Sequence, residues 1–200
     1  MPRRPPLLSG RIQQRRYALA LPYITGAVLD IGCGRASLAD RLPAGTRYVG
    51  VDHNPAFLES GRARHPQHQF FPADLEGPGL PREIGGQRFD TVALMAVLEH
   101  LAQPALILNQ LAALLRPGGR VVATTPTPLG HRVHALGAQA GLFYREAAAD
   151  HKSRLDRRSL AALFEQAGLR VLHYRQFELG CNQIIVGVLP GGRSGARPGL

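Results

Sequence analysis

Five short apolar runs in the first two thirds of the chain show almost no alternation of apolar and polar residues: AVLDI (27–31), RYVGV (47–51), QFF (69–71), RFDTVAL (88–94) and RVVATT (120–125). A strand with one wet face alternates, whereas a strand covered on both faces reads as a continuous apolar run. These runs therefore predict a parallel sheet with helices on both sides. Helix-forming stretches lie between them: SLADRL (37–42), PAFLESGRA (55–63) and PALILNQLAALL (104–115), the last followed by a Pro-Gly-Gly stop at 117–119. The expected architecture is a doubly wound α/β sheet.

The last third departs from this rhythm. Residues 127–151 contain no strand pattern and read as an insertion; a helix, SLAALFEQAG, then ends at Gly168, a residue suited to a helix C-terminus. Two strand-like runs follow, RVLHYRQFEL and QIIVGVL, separated only by Gly180, Cys181 and Asn182. A parallel crossover needs a dozen residues or more, so these two strands must be antiparallel neighbours.

At 200 residues and 44% hydrophobic content the chain fits one domain with its own core. The expected organisation is a flexible N-terminus at 1–10, one domain at 11–190 with the insertion at 127–151, and a flexible basic tail at 191–200. Cys33 and Cys181 form no CxxC or Cys/His cluster, which argues against a disulfide framework or structural zinc. No secretory signal or membrane-length apolar stretch is present in the sequence, so the expectation is a cytoplasmic protein without a membrane partner. The net charge of +10 raises the question of nucleic acid, but nearly all of the basic residues are scattered arginines, and Arg3, Arg4, Arg193 and Arg197 lie in the ends. That distribution fits the base composition of a genome better than a phosphate-binding face, and argues against a nucleic-acid partner.

The run VLDIGCGRASLADRL puts Asp30, Gly32, Cys33 and Gly34 where a buried first strand turns toward a helix. Glycines there let backbone approach a ligand, and a helix N-terminus turns free N–H groups toward it. The small side chain of Cys33 suits the crowded turn, with no need of a reactive thiol. Asp52 ends the second run, 18 positions after Gly34, where α/β nucleotide sites place a carboxylate for ribose hydroxyls. Asp74 closes the third run on the same edge and suits an adenine amino group. A solvated turn is the alternative for each carboxylate taken alone.

VLDIGCG, GVDHNP, PADLE, FDTVALMAVLEHL and LLRPGGRVVATTP, in this order and spacing, resemble the class I S-adenosylmethionine-dependent methyltransferases, particularly their small-molecule branch with a VLEHL segment. The resemblance implies a seven-stranded, mostly parallel sheet of order 3-2-1-4-5-7-6 with strand 7 antiparallel, and S-adenosylmethionine as cofactor. It also implies roles: the Asp30–Gly34 turn beside the methionine part, Asp52 on the ribose, His53 beside the adenine, Asp74 and Leu75 at the adenine edge, and Met95 near the methionine group. Ala36 departs from the family, in which many members have a third glycine. A nicotinamide-dependent oxidoreductase is the main alternative. Ser37 at the third glycine position of GxGxxG and the acidic Asp30 in the first strand count against it. A non-catalytic cofactor-binding subunit is the other.

The stretch after the fourth run, MAVLEH, lacks both the Asn/Asp-Pro-Pro-aromatic segment of amino-directed enzymes and the Pro-Cys nucleophile of cytosine-directed ones. This leaves a small-molecule acceptor, with O-methylation the leading reading. A hydroxyl acceptor gives up a proton, and histidine suits that work near neutrality. His100 and His151 are the catalytic candidates, with capping or packing of a helix start as the alternative for His100. Quinone O-methyltransferases of similar sequence share the Glu99-His100 pair, and in some a further acidic residue helps bind a metal. Here that position corresponds to Ala96, and His131 with His134 makes only an incomplete metal site, so no metal is expected.

Overall fold

The computed structural model describes residues 7–77, 79–139, 153 and 155–191. Its core is a seven-stranded sheet made of β1 (Val28–Ile31), β2 (Tyr48–Asp52), β3 (Gln69–Pro72), β4 (Phe89–Met95), β5 (Leu115–Pro126), β6 (Arg170–Phe177) and β7 (Asn182–Val188). The strand order is β3-β2-β1-β4-β5-β7-β6, as the family resemblance implies. β1 to β5 pair in parallel, and β7 runs antiparallel to both β5 and β6.

The unalternating runs are explained by two cores. Successive side chains of a strand point to opposite faces. Leu29 and Ile31 of β1, Val121 and Ala123 of β5, and Ile185 of β7 pack on one face with Ile107, Leu108 and Leu111 of α4 (Pro104–Ala112). Leu160 and Phe164 of the helix Arg157–Gln166, here α6, complete that core. Val28, Ala93, Val122, Ile184 and Val186 face the other way, under Tyr17 and Ala20 of α1 (Leu7–Ala20) and Leu58 of α2 (Pro55–Arg64). Two further helices are α3 (Arg82–Gly85) and α5 (Pro128–Gln139). Among the described residues no helix is long and apolar enough to cross a membrane.

Three local expectations are corrected. No α-helix follows β1: residues 34–38 are turns and only Ala39–Arg41 forms a short 3-10 helix. Ala36 sits at φ +58°, in the left-handed region that a continuous helix excludes. The helix after β4 stops at Ala112 rather than Leu115, because Leu115 already pairs with Phe89 at the start of β5. The Pro-Gly-Gly segment lies inside β5, where the register with β4 shifts between Phe89 and Thr91. The sequence pattern also gave no warning of α1, which crosses the expected boundary at residue 10.

The edge where β5 meets β7 is tied to α5 by Thr127. Its hydroxyl donates to the Gly180 carbonyl at 2.6 Å and accepts from Gly130 N–H at 3.0 Å, capping the helix start. Gly130 is pressed against the Cys181 carbonyl, which a Cβ would overlap. Gly130→Ala will therefore lower the melting temperature, at a cost of about 1–3 kcal/mol. Gly85→Ala, whose Cβ meets nothing within 4 Å, will be neutral or stabilising by comparison. Equal melting temperatures for the two variants would contradict this packing.

Candidate active site

The carboxyl ends of β1 to β4 open onto a cleft of about 500 Å³ lined by Gly32, Val51, Asp52, His53, Ala73, Asp74, Leu75, Glu76, Ala96, Val97, His100 and Leu101. This is the crevice in which open α/β sheets hold ligands. A second hollow, of about 530 Å³, opens on the other side of His53, Ala73 and Asp74, toward Leu80 and Arg82.

The glycine turn is built around Asp52. Gly32 and Gly34 take φ of +67° and +53°, which glycine adopts without steric cost. A Cβ on Gly32 would stand 2.6 Å from Val97 Cγ2, so only glycine lets the two walls of the cleft approach here. The N–H groups of Gly32 and Cys33 donate to the Val51 carbonyl at 2.8 and 3.0 Å, and Ala36 N–H donates to the Cys33 carbonyl at 2.9 Å. Gly34 N–H donates to Asp52 Oδ2 at 2.8 Å, and Asn54 N–H donates to Oδ1 at 2.9 Å. The turn was expected to present free N–H groups to a ligand, but these four are used within the protein. What the cleft receives is the Asp52 carboxylate, held by two backbone donors and with a lone pair left on each oxygen. The N–H groups of Gly32, Cys33, Gly34 and Ala36 are thus not among donors that could cradle a pyrophosphate.

The remaining predicted residues divide into those at the cleft and those behind it. His53 is 83% exposed at its mouth, with Nδ1 3.6 Å from Asp52 Oδ1. Asp74 is exposed and accepts Glu76 N–H at 2.9 Å, which holds the loop after β3, and Leu75 is half-buried beside it. Glu76 spans the rim, its Oε1 accepting Ala102 N–H at 2.7 Å. His100, in the short 3-10 turn Leu98–His100, is half-buried on the opposite wall. Asp30, Cys33, Gly34 and Met95 do not line the cleft. Asp30 is buried and accepts the Tyr48 hydroxyl at 2.6 Å, while Met95 Sδ accepts a long contact of 3.8 Å from the Thr124 hydroxyl. Cys33 is buried, which raises its thiol pKa well above the ordinary value and makes it a packing residue. His151 lies outside the described residues. Ser153, just beyond it, donates through Oγ to the carbonyls of Leu98 and Leu101 at 3.1 and 3.4 Å.

Two features of this wall had no signal in the sequence, the bend at Ala96 and the burial of Glu99 behind it. Ala96 takes φ +61°, a left-handed conformation costly for a residue with a Cβ, and its N–H donates to the Thr124 carbonyl at 2.9 Å. That bend turns the chain out of β4 and puts Val97 opposite Gly32. Glu99 is almost completely buried, at 1% exposure, and burial raises its pKa against the opposing charge of Arg16. Among the described residues no cluster of three potential metal ligands occurs.

Burial also pushes the Asp30 carboxyl from 3.8 up to about 7, a shift opposed by the Tyr48 hydrogen bond and aided by the Asp52 charge. Between about pH 4 and pH 7 the folded protein thus holds a proton that the unfolded chain has released, so stability falls as pH rises through that window. Asp30→Asn cannot titrate, and its urea midpoint will fall less than that of the wild-type protein between these two pH values. Parallel pH profiles for the two proteins would show that Asp30 is ionised throughout.

The profile of the family described as "Methyltransferase domain" matches residues 9–174. The chain is 30% identical over 174 residues to the ubiquinone biosynthesis O-methyltransferase of Aeromonas salmonicida (strain A449), a match covering 78% of this chain and 71% of the relative. It is 31% identical over 153 residues to the protein of the same name from Pseudoalteromonas translucida (strain TAC 125), covering 72% of this chain and 63% of that one. Among solved structures, the magnesium protoporphyrin IX methyltransferase of Synechocystis PCC 6803 with bound SAH is similar with a TM-score of 0.64 at 19% identity, covering 89% of this chain and 82% of that one.

Proposed function

The chain belongs to the class I S-adenosylmethionine-dependent methyltransferase family, and on that footing we propose that it methylates a hydroxyl of a small-molecule acceptor. The observation that carries the cofactor half of this reading is the closed glycine turn, in which the N–H groups of Gly32, Cys33, Gly34 and Ala36 are spent on Val51, Cys33 and Asp52. A nicotinamide dinucleotide brings a pyrophosphate and needs those donors, whereas S-adenosylmethionine has no phosphate. The acceptor half rests on the relatives, both named as O-methyltransferases.

In this reading Asp52 accepts the ribose hydroxyls, His53 covers the adenine, and Asp74 with Leu75 forms the adenine edge. Gly32 and Gly34 let the methionine part lie against the turn, with Asp30 and Cys33 supporting that turn from behind and Met95 beside it. S-adenosylmethionine supplies a methyl group on a sulfonium, whose departure turns a cation neutral, so positioning and exclusion of water can provide much of the acceleration. His100 takes the proton of the acceptor hydroxyl, with His151 as the second candidate. The domain spans 11–190, between short ends at 1–10 and 191–200, and the insertion at 127–151 borders the acceptor. The setting is cytoplasmic.

Two measurements test this reading. Calorimetry will show binding of S-adenosylmethionine and of SAH, its demethylated product, but no comparable binding of NADH or NADPH. Asp52→Ala will weaken SAH at least about tenfold, the loss of charge-assisted hydrogen bonds worth roughly 1.5–3 kcal/mol. Tight nicotinamide binding without sulfonium binding would overturn the cofactor assignment. Separately, His100→Ala will lower turnover of a hydroxylated acceptor by about 10²–10⁴-fold while leaving SAH affinity unaltered. Normal turnover in that variant would remove His100 from the proton transfer.

A further inference from the structure

Behind the Leu98–His100 turn lies a buried polar cluster drawn from four separate parts of the chain. Glu99 comes from the turn itself, Thr125 from β5, Arg16 from α1, and Asn182 from the start of β7. Arg16 Nη2 donates to Asn182 Oδ1 at 2.8 Å, and Asn182 Nδ2 donates to Glu178 Oε2 at 2.9 Å. Burial lowers the Arg16 pKa against the opposing charges of Glu99 and Glu178, and Thr125 is close enough to favour the ionised form of Glu99. Yet three buried atoms in this small group, Arg16 Nε, Glu99 Oε2 and Thr125 Oγ1, complete no hydrogen bond of good geometry, although the Thr125 hydroxyl stands within reach of Glu99. Glu99 and Thr125 are 1% and 0% exposed, and Arg16 is half-buried at the edge of the cluster.

Buried polar atoms are nearly always paired, and an unpaired one costs about 1–3 kcal/mol, more when charged. Three together, beyond the ends of β4 and β5 and next to His100 of the cleft wall, are an unspent set of donors and acceptors. Resting on the reading of a hydroxylated acceptor, we propose that Arg16, Glu99 and Thr125 form the subsite for the acceptor's oxygen-bearing head, a hydroxyl donating to Glu99 Oε2 and a neighbouring oxygen accepting from Arg16 Nε. The Thr125 hydroxyl, both donor and acceptor, serves either oxygen. The charges of Arg16 and Glu99 cancel, so the group that fits is neutral; a carboxylate would meet Glu99 as a like charge. Glu99 and Thr125 act as positioning residues here. The role gives α1 a part in acceptor choice that nothing in the cofactor cleft requires.

The test uses the full chain loaded with SAH and three aromatic probes, catechol, phenol and benzoate, followed by calorimetry. Wild-type protein will bind catechol more tightly than phenol, and benzoate least. Glu99→Gln and Thr125→Val, both close in shape to the native residues, will each weaken catechol at least tenfold with SAH affinity unchanged, whereas Arg16→Gln will narrow the preference for catechol over phenol. A variant pair that shifts the melting temperature yet binds catechol like wild type would show a purely structural cluster and overturn the proposal. So would an SAH-loaded wild type that favours benzoate or binds none of the three. Failure to bind SAH at all would instead overturn the methyltransferase reading, and the subsite with it.

Discussion

The hydrogen bond from Gly34 N–H to Asp52 Oδ2 is the constraint on which the cofactor side of this molecule depends. It closes the turn after β1 onto the end of β2, so the carboxylate is fixed before any ligand arrives and no side-chain entropy is lost in placing it. The consequences run into the core. The folded-back turn carries Cys33 over β2, where a Cβ at Gly50 would stand 2.9 Å from Cys33 Sγ and from Phe70 Cδ1, so β2 needs glycine at that point. It also spends the Gly34 N–H, one of the donors that would otherwise favour an anion at this turn.

The edge of the sheet divides into two chemical territories. Around β1, β2 and β3 the polar groups are the Asp52 carboxylate at the end of β2 and, on the loops beyond the strands, the exposed His53 and Asp74, which suit the hydroxyls and amino group of an adenosyl moiety. Around β4, β5 and β7 the polar groups are buried, and they come together only because β7 is reversed. Antiparallel pairing sets Asn182 opposite Pro126, which brings Arg16 of α1 under the same edge as Thr125. A parallel seventh strand would begin at the far end of the sheet and leave Arg16 without Asn182.

Strands and their layers were legible because burial on both faces leaves a mark in the sequence. Val28, Ala93 and Ile184 serve one core while Leu29, Val92 and Ile185 serve the other, so apolar residues dominate both positions along a strand and a buried exception such as Asp30 needs a partner like the Tyr48 hydroxyl. Asp52 was legible for a related reason: a polar residue at the end of an apolar run lies at the sheet edge, and Asp74 and His100 follow on the segments just beyond β3 and β4. The failures have equally physical causes. SLADRL has good helix formers, but a left-handed Ala36 just before it and a short return to β2 leave room only for turns and one 3-10 segment. In α1, among the residues whose side chains are described, only Tyr17 and Ala20 are buried in the core, with Leu19 partly buried against it, too few to print a stripe. Arg16 reads as an ordinary surface charge and Glu99 stood out only through its pairing with His100; the tertiary fold alone brings the two into one largely buried cluster.

The central claim is that the β1–β4 cleft holds an adenosyl ligand on Asp52 while the glycine turn stays closed. A crystal structure of the protein grown with SAH measures this directly. It should show both ribose hydroxyls within hydrogen-bond distance of the Asp52 carboxylate, with the Gly34 N–H still donating to Oδ2. A ligand seated away from Asp52, or a turn opened so that the Gly32–Gly34 N–H groups face it, would contradict the claim.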